Sequence, residues 1–349
     1  EGDSVTVQYD DRGNMIERRT RAKIPGTPAD IVETAAFPAT CINSIICNRP
    51  TSTTDARGFR TDFTYDPVHG GALTVTSPAP SGAAPVGSGT RPQTRNSYAQ
   101  KTAWVRNAAG QIVQASPVWR LTESSQCQTL ASCNGGADEV ESVTGYQVGS
   151  ASAASNILPL TVTTRAGDVS LTASVTSAYT PAGDVASFDG PRTDVADITN
   201  FRYDALRQRL GEISAPASGA TRQATRTSYN LDGQVAQVDR GTVLGLADAD
   251  WAAFAALESA ATLYDAQGRR VRDTFSIGGV AQSVTQLSYD GAGRLECSAV
   301  RMNLGSLPAN ACALGTAVGN VQDRISCNAY DNAGRLFGEV CGHSVQRQT

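Results

Sequence analysis

Histidine is nearly absent. His69 and His343 are the only two in 349 residues. Two imidazoles leave little scope for general-base chemistry, and no C-x-x-C pair accompanies them, so a zinc site of ordinary Cys/His spacing is not expected. His69 sits in the turn "DPVHGG" and His343 near the end, and both read as solvated loop residues. Lysine is equally scarce, at Lys23 and Lys101, and the arginines form no run; the formal net charge is −4. Without a basic patch, neither nucleic acid nor an anionic membrane surface is an expected partner. No apolar stretch approaches the ~18–20 residues of a membrane-crossing helix. The opening "EGDSVTVQYD" has no Met, no basic n-region and no apolar h-region, so it does not read as a signal peptide. It starts as though inside a repeat, and the chain reads as a mature piece or a fragment of something longer.

Motifs that carry chemistry are missing as well. There is no G-x-x-x-x-G-K-[ST], no G-x-G-x-x-G after a strand, no H-E-x-x-H and no G-x-S-x-G. Asp10/Asp11 and Asp248/Asp250 lack the regularly spaced oxygens and terminal Glu of a calcium loop, and turn or helix capping explains them better. No carboxylate pair recommends itself for glycoside hydrolysis. No catalytic residue, metal site or cofactor is assigned, and the chain reads as non-enzymatic. Hydrophobic residues at 40% and charged residues at 18% are ordinary for a folded chain and wrong for a disordered one.

What is there is a turn, written many times. "YDNAGRLFGEV" (330–340) has near copies in "YDGAGRLECSA" (289–299) and "YDAQGRRVRDT" (264–274). The Tyr ends a strand, its ring covering the sheet surface. Asp opens a type I turn by accepting backbone N–H groups further along. Gly, three residues after Asp, takes the positive-φ position that closes the turn with a bulge. Arg-Leu then starts the return strand, polar out and apolar in. Good copies sit at Tyr9-Asp10 with Gly13, Tyr264-Asp265 with Gly268, Tyr289-Asp290 with Gly293, and Tyr330-Asp331 with Gly334. Degraded copies are Tyr229 with Gly233, Tyr179 with Gly183, Tyr203-Asp204 with Arg207 in the glycine's place, Asn107 with Gly110, and Tyr65-Asp66 with its glycines one place late. Tyr179, Tyr203, Tyr229, Tyr264 and Tyr289 are separated by 24, 26, 35 and 25 residues. A period near 25 is a few short strands with their turns, and hairpins that are marginal alone gain a shared apolar face when set side by side.

This pattern resembles the YD repeat of the Rhs family, which includes the C components of Tc toxins and the teneurins. The resemblance runs over essentially the whole chain and is densest from about residue 179. "TDFTYDPVHGGALTVTSPAP" (61–80), "DADWAAFAALESAATLYDAQGRR" (248–270) and "SLPANACALGT" (306–316) resemble bacterial Rhs-repeat proteins in particular. The resemblance implies an all-β fold, a continuous spiralling antiparallel sheet that closes into a hollow shell around a C-terminal toxin. The segment that caps or cuts that shell has no counterpart here, so autoproteolytic residues are not carried over.

A single domain over 1–349 is expected, with insertions at about 77–95, 123–139, 243–260 and 301–323. Within the third, Trp251, Phe254 and Leu257 recur at helical spacing, which predicts one short helix near 249–260 with Trp251 packed as a staple rather than binding a ligand. The eight cysteines fall into neighbouring couples, Cys41/Cys47, Cys127/Cys133, Cys297/Cys312 and Cys327/Cys341. Four local disulfides in an oxidising compartment are expected; crossed pairing among the last four, or buried thiols, are the alternatives. Function then reads as the wall of an Rhs-type shell enclosing a secreted toxin for competition between bacteria. An extracellular fibre or adhesin of stacked repeats, or a carbohydrate-binding surface protein, are the rivals. The expected partners are the rest of its own chain as cargo, neighbouring copies, or a glycan, at a secreted or cell-surface bacterial location.

Overall fold

The computed structural model describes residues 4–24, 26, 29–79, 90–127, 135–216, 219 and 221–339. Within them the chain is all-β apart from one five-residue helix, and every strand pairing is antiparallel. Two compact units form, Glu1–Gly183 with Asp189–Arg192, and Asp184–Phe188 with Thr193–Thr349.

The first unit carries β1 (Ser4–Tyr9), β2 (Met15–Arg21), β3 (Ile31–Ala36), β4 (Ser52–Thr54), β5 (Arg60–Tyr65), β6 (Ala72–Thr76), β7 (Gln93–Lys101), β8 (Trp104–Arg106), β9 (Ile112–Gln114), β10 (Val118–Cys127), β11 (Glu139–Tyr146), β12 (Pro159–Ala166) and β13 (Thr172–Tyr179). Each pairs with the next, save that β7 pairs with β10 while β8 and β9 form a hairpin of their own. The second unit carries β14 (Val185–Asp189), β15 (Thr199–Tyr203), β16 (Arg209–Pro216), β17 (Arg222–Tyr229), β18 (Val235–Val243), α1 (Asp248–Ala252), β19 (Ala255–Tyr264), β20 (Arg270–Ile277), β21 (Val280–Tyr289), β22 (Leu295–Arg301), β23 (Arg324–Tyr330) and β24 (Leu336–Glu339), again each strand beside its sequence neighbour.

The strand sequences show why. β22 reads LECSAVR, and Cys297, Ala299 and Arg301 alternate onto one buried face while the residues between them are more exposed. A sheet one layer thick needs something to cover such a face, and the insertions do it. Ala311, from the 302–323 loop, is buried against Cys297 and Ala299. The 244–254 excursion brings Trp251 and Phe254 onto Ile213, Ala224 and Val243. Gly211 is the place where Trp251 lies: a Cβ there would come within 2.3 Å of the indole. Trp251 is a packed residue, edge-on to Phe254 with centroids 5.7 Å apart.

The helix expected near 249–260 is present but ends at Ala252. Ala255–Tyr264 is a strand, and Leu257 is exposed rather than continuing the helical stripe. An Ala-rich segment of this length is marginal as an isolated helix. Between β18 and β20 its backbone finds partners on both sides, and that decides. The first insertion is also shorter than 77–95, since β7 begins at Gln93; residues 80–89 of it lie outside the described residues.

The 302–323 loop is pinned by an ion pair. Arg301 and Asp323 have side chains 0% and 2% exposed, with Arg301 Nη1 2.6 Å from Asp323 Oδ2. Arg301 also donates to Gln286 Oε1 and to the carbonyls of Asn310, Ala311 and Ala313. Asp323 accepts the N–H groups of Met302 and Gly315. Burial works to raise the Asp323 pKa, but those N–H groups and Arg301 outweigh it and hold the carboxyl below its ordinary value. Asp323→Ala leaves a buried guanidinium uncompensated and is expected to cost about 3–5 kcal/mol in urea unfolding. The double change Arg301→Met with Asp323→Leu is expected to cost less than Asp323→Ala alone.

Candidate functional site in the repeated turn

Six copies of the turn are built the same way. In Asp265 the Oδ1 accepts the N–H of Gln267 at 3.0 Å and of Arg269 at 2.9 Å. Asp10, Asp204, Asn230, Asp290 and Asp331 repeat this with the residues two and four on. Each turn closes with the N–H three residues after the Asp donating to the Asp carbonyl. A positive φ stands there every time, +75° at Gly268, and Arg207 takes it at +66° without being glycine. An L-residue pays sterically for that conformation. The guanidinium of Arg207 holds Asp184 at 2.7 Å. The Tyr65 copy is one residue longer, Gly70 N–H donating to Asp66 O. A copy that the sequence reading passed over lies at Asp55–Gly58, with Arg57 and Phe59 donating to the Asp.

The tyrosines do more than cover the sheet. Each motif tyrosine ends a strand and, Tyr9 apart, donates its hydroxyl to a main-chain carbonyl at or just before the start of the neighbouring strand. Tyr203 reaches Val185 O, Tyr229 reaches Arg209 O, Tyr264 reaches Val235 O, Tyr289 reaches Arg270 O and Tyr330 reaches Leu295 O, all at 2.9–3.0 Å. Each acceptor lies six residues after the preceding motif tyrosine. In the first unit Tyr179 reaches Pro159 O and Tyr65 reaches Pro50 O. Tyr98 and Tyr146, outside the motif copies, make the same bond to Ala72 O and Leu121 O. Among the described residues Tyr9 makes none, and it is 62% exposed.

A second tie runs from the residue five after the tyrosine. Gln234 Nε2 donates to Gly268 O at 2.8 Å, and Gln208 Nε2 to Gly233 O at 3.5 Å. Arg269 lies 4.5 Å over the Tyr289 ring and Arg294 4.5 Å over the Tyr330 ring, each while bonded to its own turn aspartate. Every such side chain reaches forward to the next turn. The sequence carried the signal: the position is long and polar at Gln208, Gln234, Arg269 and Arg294, yet its identity varies and it is Asn14 and Asp184 elsewhere, so the motif as read did not include it.

Cys41 bridges Cys47, and Cys297 bridges Cys312. The second closes a loop of 15 residues, for which loop entropy gives ~3 kcal/mol. Cys297 faces Cys327 directly across β22 and β23, their sulfurs 3.4 Å apart, so the crossed neighbourhood is real although the bridge is local. Cys133 and Cys341 lie outside the described residues, and the couples Cys127/Cys133 and Cys327/Cys341 with them; so does His343.

His69 corrects the expectation of a solvated loop residue. Its side chain is 8% exposed, and its ring lies between Tyr98 at 4.7 Å and Trp119 at 4.6 Å. The longer Tyr65 turn lets the imidazole fold back, where β7 and β10 supply the two rings. Nδ1 accepts the Gly71 N–H at 3.1 Å. Asp248 pairs with Arg202, and Asp250 accepts the Ala247 N–H, so both act as structural carboxylates at α1. Among the described residues no group of three or more His, Cys, Asp or Glu is placed to hold a metal.

No protein-family model matches the chain, and no curated protein does. Among solved structures it is similar to the Photorhabdus luminescens Tc holotoxin pore carrying a TccC3 mutation, at TM-score 0.44 and 12% identity over 99% of this chain. The crystal structure of TcdB2-TccC3-Cdc42 follows at TM-score 0.30 and 13% identity over 95%. A porin-like protein from Bacteroides uniformis gives TM-score 0.28 and 10% identity over 69%. The chain spans 16% and 19% of the two Tc toxin chains. Likeness at this level assigns neither a family nor a function.

Tyr289→Phe removes one inter-hairpin bond and keeps the ring, and is expected to lower stability by about 0.5–1.5 kcal/mol in urea unfolding. Part of the pH dependence should come from the turns. Backbone N–H donation from Arg269, Arg294 and Arg335 holds Asp265, Asp290 and Asp331 below the ordinary carboxylate value. Protons therefore prefer the unfolded chain. The stability these groups give is complete above about pH 4, the unfolded value, and is lost as pH falls through the lower folded values. Acid titration of the melting temperature should show this limb, and Asp→Asn at all three turns should make it shallower.

Proposed function

We propose that the chain is a non-enzymatic wall segment of YD-repeat hairpins, part of an Rhs-type shell that encloses a secreted toxin used between competing bacteria. The observation that carries this reading is the pair of ties between successive turns. The tyrosine hydroxyl and the residue five after it both join one hairpin to the next. Such ties make a covering that extends by repetition, and they leave the described polar side chains of the motif engaged in holding the wall rather than facing a substrate. The disulfides Cys41–Cys47 and Cys297–Cys312 fit an oxidising compartment outside the cytosol. The cargo would be the remainder of the same polypeptide.

Electron microscopy of the full-length gene product tests this. Closed hollow particles whose internal domain resists added protease are the expected result. Filaments of chains joined end to end would replace the shell with the fibre reading, and saturable binding to a neutral glycan array by a particle without internal density would replace it with the carbohydrate-binding one.

A further inference from the structure

One partly buried arginine in the second unit makes no bond to a described residue. Arg272, on β20, makes no hydrogen bond or ion pair among the described residues, and its Nε is buried. Arg49, Arg120, Arg240 and Arg324 also lack such bonds, but all are exposed to water. Arg272 is half-buried, in register between Leu263 of β19 and Gln286 of β21. It lines a cavity of about 370 Å³ whose floor is these three strands and whose wall is the 309–311 stretch of the pinned loop. Cavities that take small molecules run from roughly 300 to 1,000 Å³.

The cavity's charges do not cancel. Asp265 lines it, but its carboxylate is bonded to Arg269 Nε at 2.7 Å and to two backbone N–H groups. Arg269 and Asp265 neutralise each other, and the charge of Arg272 remains. Gln286 is committed, its Nε2 to Pro308 O and its Oε1 to Arg301, so it offers Arg272 nothing. Asn310, an exposed residue that also lines the cavity, uses its Oδ1 to accept from Ser288 and Cys312, which leaves its Nδ2 to water or a ligand. A guanidinium with a buried nitrogen that lacks an acceptor and an exposed carboxamide N–H₂ thus border one space. A buried guanidinium nitrogen left without an acceptor is unfavourable, and a planar oxyanion matches its geometry.

We propose that this cavity binds a small oxyanion, a carboxylate- or phosphate-bearing molecule of up to about monosaccharide size, with Arg272 as the anchoring charge and Asn310 as a second donor. The site stands whether the wall closes as a shell or stacks as a fibre.

Calorimetric titration of the whole chain at low ionic strength tests this, with inorganic phosphate and glucuronate as probes. Saturable binding of one equivalent of either probe is expected, and the tighter one tells a phosphate source from a carboxylate source. Arg272→Gln should weaken it by about tenfold or more. Arg240→Gln, an exposed unpartnered arginine two strands away, should leave it unchanged. A second measurement separates binding from a structural role. Without probe, Arg272→Met should melt no lower than the parent, because it removes an unpaired charge; with probe, only the parent should gain stability. No saturable binding of either probe, equal weakening by Arg240→Gln, or a lower melting temperature of Arg272→Met without probe would overturn the proposal.

Discussion

The structure depends on what happens to a carbonyl at the end of a strand. Where a hairpin turns, its return strand begins two residues before its ladder with the next hairpin, as at Arg209, Val235, Arg270 and Leu295, and the first carbonyl lies outside that ladder. A phenol supplies the donor. Tyr229, Tyr264 and Tyr289 each close such a carbonyl on the preceding hairpin. A phenylalanine would cover the same apolar surface and leave that acceptor open, so covering the sheet does not by itself account for tyrosine at this place. The bond also fixes where the neighbouring hairpin starts, which sets register for every pair downstream.

The second constraint is thickness. In each unit the ladder is a single layer, and fully buried apolar residues are few: Ile213, Cys127 and Cys297 are the largest. The loops make up the deficit. The 302–323 loop and the α1 excursion fold onto the second unit and bury small cores beneath them. Two buried charges on the covered faces, Asp239 and Arg301, are met by partners. Asp239 accepts Arg226, Gln237 and Ser259, and Arg301 is enclosed by carbonyls and Asp323. The longer gaps from Tyr229 to Tyr264 and from Tyr289 to Tyr330 are therefore places where the sheet of the second unit acquires a second layer.

Much of this was legible in the residues. Asp-x-x-Gly after a tyrosine fixes a turn by local chemistry alone, and the turns fall where that spacing puts them. The extent of the helix was not legible, because Ala255–Tyr264 has helical composition but two strands beside it, and pairing outweighs propensity. His69 was misread because the two aromatic rings that enclose it come from 29 and 50 residues further on. The forward tie was hidden by its own variety: Gln208, Gln234, Arg269 and Arg294 share a position and a reach but no single side chain. Arg272 gave no signal at all, since an unpaired arginine looks like any other until its neighbours are known.

The forward reach of those side chains gives the assembly a direction. Each hairpin is tied down by the one that follows it in the chain, through both the tyrosine hydroxyl and the ring beneath the guanidinium. A hairpin emerging from a ribosome or an export channel is complete in its own turn but unsecured until its successor arrives. The chain is in this respect a zipper that closes from its amino end, with the most recently made tooth always the loose one.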